Sequence, residues 1–303
     1  MPELNSLQDQ VVLITGATSG IGLETARAFA RLGAITVLAG RSREKTTTTA
    51  RQIQQESGNP HVGYLVADLS AQEEVRQLAA DFRQHSKRLD VLVNNAGALF
   101  MQRQLSRDKL EMTLALNHLA PFLLTQLLMD ALNASPAARV ITVASDAHRG
   151  YHLDFEDLQL EHGYSGWRAY GLSKLANIYF TYALAASFDG TPHTANCLHP
   201  GFAATNFGHN NGDLLDKGFR VAQLGAISPR LGADAIVHLA ASPEMQEVNA
   251  GYFDLKKPAR SSEISYDMNI AKQLWDVSLE LTGLAHPGWG IDSSRSTAAR
   301  KSR

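Results

Sequence analysis

The sequence predicts an α/β fold: a doubly wound, mostly parallel sheet with helices on both faces, in a single domain. Three observations across the 303 residues carry that expectation. Short β-branched and apolar runs alternate with longer helical patterns, and this alternation needs crossover connections that lay helices over a parallel sheet. A glycine-rich turn joins the first run to the first helix. Neither an internal repeat nor a linker interrupts the pattern, and 303 residues suit one large α/β domain.

The elements follow in order. "VVLIT" (Val11–Thr15) reads as a buried strand, and Gly20–Leu32 as the helix after it. "AITVLAG" is a second strand, ahead of a polar helix over Glu44–Glu56. "HVGYLVAD" is a third, followed by a helix over Gln72–Phe82. "DVLVNNAG" is a fourth, then a helix over Lys109–Leu132 that contains Pro121. "RVITVAS" is a fifth, the helix carrying Tyr170 comes next, and "TANCLHPG" is a sixth. Two segments stand outside the alternation: an irregular stretch, Asp146–Arg168, and the Gly- and Asn-rich Phe202–Ile227. Ligands of open α/β sheets bind beyond the carboxyl ends of the strands, so both are expected to be substrate loops. The domain is expected to fill residues 1–290, leaving the polar, basic residues 291–303 as a frayed tail.

Composition narrows the function classes. The formal net charge of −2 leaves no excess of basic residues and no reason to expect nucleic acid. Cys197 is the only cysteine, which rules out an intramolecular disulfide and suits a reducing compartment. No apolar run reaches the roughly 18 residues of a membrane-spanning helix. The start, "MPELNSLQDQ", has no basic-then-apolar signal pattern. The expectation is a soluble, cytoplasmic protein.

The turn "TGATSGIG" (Thr15–Gly22) carries the first chemistry. Gly16, Gly20 and Gly22 permit a tight turn, close approach of backbone to a phosphate, and near packing of helix on strand; Thr18, Ser19 and Ile21 lie in the same turn. The free N–H groups and positive dipole end of the helix then suit a pyrophosphate. A tight βα turn with no ligand is the plainer reading, but the strand before it and the helix after it are the context that the nucleotide reading requires. At the end of the second strand, the acidic residue that would bind a ribose 2′-hydroxyl is missing. Gly40 and Arg41 stand there instead, and the cation suits the 2′-phosphate of NADP.

"YGLSK" places Tyr170 and Lys174 four positions apart, on one face of a helix. Taken alone, the pair is either catalytic machinery or a half-buried Tyr with a Lys snorkelling beside it. A phenol titrating near 10 is a poor proton shuttle at neutral pH unless a fixed cation favours the phenolate.

"TGATSGIG", "NNAG" (Asn94–Gly97), Ser145 after a strand, "YGLSK" and "HPG" (His199–Gly201) occur in one order on one alternating frame. Together they resemble the short-chain dehydrogenase/reductase family over nearly the whole chain, which implies a Rossmann-type fold. "NHLAPFLLT", "YGLSKLANIYFT", "HPGFAAT" and "GYFDLKK…AKQLWDVSLELTGL" are similar to its retinol dehydrogenase-like, NADP-dependent carbonyl reductases. The resemblance implies a catalytic tetrad of Asn117, Ser145, Tyr170 and Lys174. Tyr170 would be the general acid or base. Lys174 would lower the pKa of Tyr170 and hold the nicotinamide ribose. Ser145 would hydrogen-bond the substrate oxygen, and Asn117 would anchor a water that links Lys174 to solvent. Ser145 as a cap and Asn117 as a helix amide bonded to backbone are the plainer readings. The resemblance further implies that Asp68 and Leu69 hold the adenine, that Asn94, Ala96 and Gly97 line the adenosine ribose, and that Pro200, Gly201 and Thr205 contact the nicotinamide half. Asp68 is equally a candidate N-cap. A homodimer through the helices of Asn117 and Tyr170 is expected by analogy.

The resulting expectation is an NADP(H)-dependent oxidoreductase acting on a small carbonyl or alcohol, lipophilic in character as retinal is. Phe100, Met101, Phe155, Tyr164, Trp167, Phe202 and Phe207 are candidate pocket walls or core. Two alternatives are an NADP(H)-sensing regulator without turnover, against which the complete tetrad argues, and a protochlorophyllide reductase-like enzyme, which the single cysteine weakens. His148 and His152 have a helical metal-binding spacing, but Gly150 between them argues against a helix and no third ligand is evident. Cys197, inside an apolar strand, reads as a buried hydrophobe.

Overall fold

The computed structural model describes residues 6–201 and 228–285. The expected substrate loop Phe202–Ile227, with Phe202, Thr205 and Phe207, and the expected tail 291–303 lie outside the described residues.

One eight-stranded sheet organises these residues. Its strands are β1 (Val11–Thr15), β2 (Ile35–Gly40), β3 (Val62–Val66), β4 (Val91–Asn94), β5 (Arg139–Val143), β6 (Thr194–His199), β7 (Tyr252–Asp254) and β8 (Lys257–Ala259). They lie in the order β3-β2-β1-β4-β5-β6-β7-β8, and every pair is parallel except β7 with β8. The winding reverses between β1 and β4, and the crevice of such a sheet opens at that switch. Strands β7 and β8 fall outside the sequence expectation, since three residues each are too few to show a period.

The helices are α1 (Gly20–Arg31), α2 (Arg43–Ser57), α3 (Gln72–His85), α4 (Met112–Leu114), α5 (Ala120–Leu127), α6 (Met129–Asn133), α7 (Gly166–Ser187), α8 (Pro229–Ala241) and α9 (Met268–Thr282). Residues of β1 alternate between two cores, as the pleat requires. Val11 and Leu13 join α3, α5, α7 and α9, while Val12 and Ile14 join α1, α2 and α8. No helix among the described residues is long and apolar enough to cross a membrane.

The single helix expected over Lys109–Leu132 is in fact a broken one. Lys109 has φ +61, a left-handed conformation that no helix carries. The helical run starts three residues on, where the Glu111 carboxylate accepts from Thr113 N at 2.9 Å and Leu114 N at 2.7 Å. Ala115–Leu119 is a π turn, closed by Ala120 N donating to Ala115 O. Pro121 has no N–H to offer the carbonyl of Asn117, so an α ladder cannot run through this point unbroken.

Helix α9 packs on the helices through which a dimer was expected. It lies along α7, with Trp275 5.0 Å from Phe122 and 6.0 Å from Phe180 between ring centroids. Residues 171–185 of α7 are buried throughout, as are 117–125 of the π turn and α5. This chain therefore covers much of its own Asn117 and Tyr170 helices.

Candidate active site

The β1–α1 turn is shaped around glycine. Gly16 and Gly20 have φ +66 and +56. A Cβ on Gly22 would run into the carbonyl oxygen of Gly16 and lie 2.6 Å from Asn95 Nδ2. Ser19 stands at the N-cap of α1, yet no side chain caps the helix and its first turn holds no acid. The opening N–H groups of α1 thus have no side-chain acceptor among the described residues, and they fit a pyrophosphate in donor set and in approach.

The end of β2 abuts this turn. A Cβ on Gly40 would lie 2.7 Å from Thr18 Cγ2 and 2.5 Å from Thr46 Oγ1, so no acidic side chain can stand there. The next residue, Arg41, is exposed. After β3, the Asp68 carboxylate accepts from Ser70 N at 3.1 Å and Ser70 Oγ at 2.7 Å. Its local capping role is therefore real, although the N-cap of α3 is Ala71. Leu69 is half-buried against the core.

The "NNAG" segment divides its two asparagines. Asn94 is 3% exposed and its Nδ2 donates to Thr125 Oγ1 on α5 at 3.2 Å, so its side chain faces the core. Asn95, which sequence reasoning passed over, donates from Nδ2 to Thr15 O at 2.8 Å. Thr15 Oγ1 accepts from both Asn95 N and Ala96 N at 3.0 Å, latching this loop to the glycine turn. Gly97 lies against two residues of the expected tetrad. A Cβ there would lie 3.2 Å from Asn117 Oδ1 and 3.5 Å from Lys174 Nζ.

All four tetrad residues converge at this point. Asn117 is fully buried; its Nδ2 donates to Ala98 O at 2.9 Å and Ser173 Oγ at 3.0 Å, and its Oδ1 accepts from Ala98 N at 2.9 Å. Lys174 is 3% exposed, its Nζ donates to Val143 O on β5 at 2.8 Å, and it lies 5.5 Å from the ring centre of Tyr170. Burial pushes the ammonium down to about 8. Ser145 follows β5 and caps a 3-10 turn over Asp146–His148, its Oγ accepting from Ala147 N at 3.2 Å. Its hydroxyl also hydrogen-bonds the half-buried Tyr170. Lys174 does not depress the phenol as expected. Burial pushes Tyr170 up to about 12, and the opposing influence comes from Ser145. At neutral pH the phenol therefore keeps its proton.

Pro200 and Gly201 follow β6, and Gly201 has φ +76. Gly232 of α8 fits against them: a Cβ on it would lie 3.2 Å from Pro200 Cβ and 2.9 Å from Ile21 Cδ1. Among the aromatic candidates, Phe100 is buried and Phe155 packs on the core beneath α3, α5, α7 and α9, while Tyr164 OH donates to Phe100 O at 2.8 Å and Trp167 is 45% exposed. The region expected to be irregular gives up its last residues to α7, which starts at Gly166, where a side chain would strike the backbone of Phe100 and Met101. Cys197 is fully buried.

Comparison with known proteins agrees with this geometry. Residues 10–214 match the family model described as short chain dehydrogenase. Retinol dehydrogenase 13 of Homo sapiens is 38% identical over 294 residues, covering 94% of this chain and 88% of that protein. Polyprenol dehydrogenase of Homo sapiens is 36% identical over 290 residues, covering 91% and 86%. The crystal structure of an uncharacterised protein from Mycobacterium paratuberculosis superposes with a TM-score of 0.74 at 31% identity, covering 94% of this chain and 97% of that one. A short chain dehydrogenase from Escherichia coli CFT073, solved in complex with NADPH, gives a TM-score of 0.66 at 26% identity, covering 84% and 100%.

Proposed function

The chain belongs to the short chain dehydrogenase family of oxidoreductases, and from that premise we propose that it interconverts a lipophilic carbonyl compound and its alcohol with NADP(H). The convergence of Ser145, Tyr170 and Lys174 at the end of β5, beside Gly97, carries the reading. Arg41 next to a side-chain-free Gly40 supports NADP(H) over NAD(H), as does the NADPH complex of the Escherichia coli relative. The names of the retinol and polyprenol dehydrogenases support a lipophilic alcohol as the partner substrate.

The glycine turn and the N-terminus of α1 would hold the pyrophosphate, Arg41 the 2′-phosphate, and Lys174 the ribose hydroxyls, with Ala96, Gly97, Pro200 and Gly201 lining the path between them. When bound, the reduced nicotinamide supplies the hydride. Ser145 Oγ and the Tyr170 phenol both donate to the substrate oxygen, so the negative charge developing there meets two fixed donors. Tyr170 then passes its proton to that oxygen, completing the alcohol. A phenol held protonated at neutral pH suits this reducing direction. Lys174, with its pKa near 8, is poised to return the proton to Tyr170. The Asn117 amide is already bonded on both sides, so its backbone carbonyl, to which Pro121 offers no N–H, would be the group to hold a relay water.

Purified protein incubated with NADPH and a panel of aldehydes, retinal included, should consume NADPH with at least one of them. Tyr170→Phe should lower that rate by at least about 100-fold while NADPH still binds. A wild type inert across the panel, or a Phe variant as fast as wild type, refutes the assignment.

A further inference from the structure

His148 ends the 3-10 turn that Ser145 caps, and it is fully buried. Both its ring nitrogens are engaged. Nδ1 lies 2.7 Å from the carbonyl oxygen of Ser145, and Nε2 lies 2.9 Å from the backbone nitrogen of Ser262. A carbonyl can only accept and a backbone N–H can only donate. The ring satisfies both neighbours in one state alone, the neutral tautomer with its proton on Nδ1.

Ser262 belongs to the segment after β8, which straps across this end of the sheet. Tyr179 OH on α7 donates to Ile264 O at 2.8 Å, and the Tyr182 and Ser261 hydroxyls are 2.8 Å apart. Arg149, next to His148, donates to Arg260 O at 2.7 Å. The strap therefore ties α7, the helix of Tyr170 and Lys174, to the turn that carries Ser145, and His148 is the tie that ends on Ser145 itself.

We propose that His148 is a positioning residue: its Nδ1–H holds the Ser145 carbonyl, and the strap holds its Nε2, so that the Ser145 hydroxyl stays aimed at the substrate oxygen. The inference rests on the reading of Ser145 as a donor to that oxygen. Protonation would undo it, since an imidazolium cannot accept from Ser262 N. The groups facing the ring are Asp146 and Arg149 on its own turn, His199 at the end of β6, and Tyr252 of β7, whose ring centroid is 5.4 Å away. Burial lowers the His148 pKa, which keeps the neutral ring through the neutral range.

The test uses the full chain, NADPH and whichever aldehyde the wild type reduces fastest. His148→Leu removes both bonds, and kcat should fall at least about tenfold with NADPH binding unchanged. His148→Asn restores a donor near the Nδ1 position without a titrating ring. It should recover most of that loss and flatten the acid limb of the kcat profile. Ser262→Pro deletes the N–H together with a hydroxyl that has no partner among the described residues, at a residue whose φ of −63 already suits proline. It frees a lone pair on Nε2, so the acid limb should move to higher pH. Nitrogen-15 spectra of histidine-labelled protein, assigned by the signal missing from His148→Asn, should report an Nδ1–H ring at neutral pH. An Nε2–H ring, a His148→Leu variant with wild-type kcat, or an unmoved limb in Ser262→Pro would overturn the proposal. If His148→Leu fails to fold, the proline variant and the spectra still decide. A wild type without turnover would instead bring down the reading of Ser145, and this inference with it.

Discussion

Lys174 Nζ, on α7, donates to the carbonyl oxygen of Val143, on β5, across 2.8 Å. This bond ties α7 to the strand that precedes Ser145, and it leaves the remaining ammonium donors for a ligand. The group sits there against its own solvation, since burial alone drives its pKa down to about 8. Replacing it by an isosteric apolar chain should therefore separate stability from activity. For Lys174→Met we expect a thermal midpoint no lower than wild type, because an unsolvated ammonium is removed. NADPH-dependent reduction should drop at least about 100-fold, since the proposed ribose contact and proton return would both be lost. Paired melts and steady-state kinetics check this.

Cofactor choice should turn on Arg41. A neutral Cβ at residue 40 already collides with Thr18 and Thr46, so the 2′ end of the nucleotide can meet no carboxylate from that position. Arg41 is exposed and its removal should leave stability within about 0.5 kcal/mol. Arg41→Ala should weaken NADPH by about 10- to 100-fold, the worth of a charged hydrogen bond to phosphate, with NADH barely changed. Equal losses for both dinucleotides would contradict the assignment.

Gly22 tests the phosphate turn from the opposite direction. Its absent side chain is what lets α1 approach Gly16 O and Asn95 Nδ2. Gly22→Ala must push backbone aside, since the carbonyl has no rotamer to escape into. Overpacking of this kind costs about 1–3 kcal/mol. Denaturant unfolding should show that loss, and NADPH titration should show affinity reduced at least about tenfold, because the N–H groups move with the turn.

These outcomes also explain how far the sequence could be read. The alternation of runs and the turn at Thr15–Gly22 were legible because each strand from β1 to β6 is short, apolar and flanked by a helix with its own period. Tyr170 and Lys174 were legible because i, i+4 spacing on α7 fixes their shared face. The break at Ala115–Leu119 was less so, although Pro121 was in view, since a π turn is a tertiary compromise around one missing N–H. The state of Tyr170 was not legible at all. Charge proximity predicted a depressed pKa, but the balance between burial and a cation depends on how much protein surrounds both groups, which no spacing records. Asn95 was missed in favour of Asn94 because alternation along β4 decides which amide faces the crevice, and the strand ends between them.

His118 should govern part of the acid stability. It is 1% exposed, between Asn177 on α7 at 3.4 Å and Ser278 on α9 at 3.0 Å. Burial pulls its pKa from 6.5 down to about 4, against a weaker upward influence from Asn177. In the unfolded chain the ring takes its proton near 6.5, whereas the folded protein refuses it until about 4. Between those values the unfolded state binds more protons, so stability falls as pH falls through that window and levels off below it. The whole effect is at most about 3 kcal/mol for this one group. Urea unfolding at intervals from pH 7 to 4 should show that decline. His118→Gln should start lower, from the lost packing beside Phe122 and Phe180, but descend less steeply. Parallel curves for the two proteins would mean that other groups set the acid limit and that His118 takes up its proton as readily in the fold as in the unfolded chain.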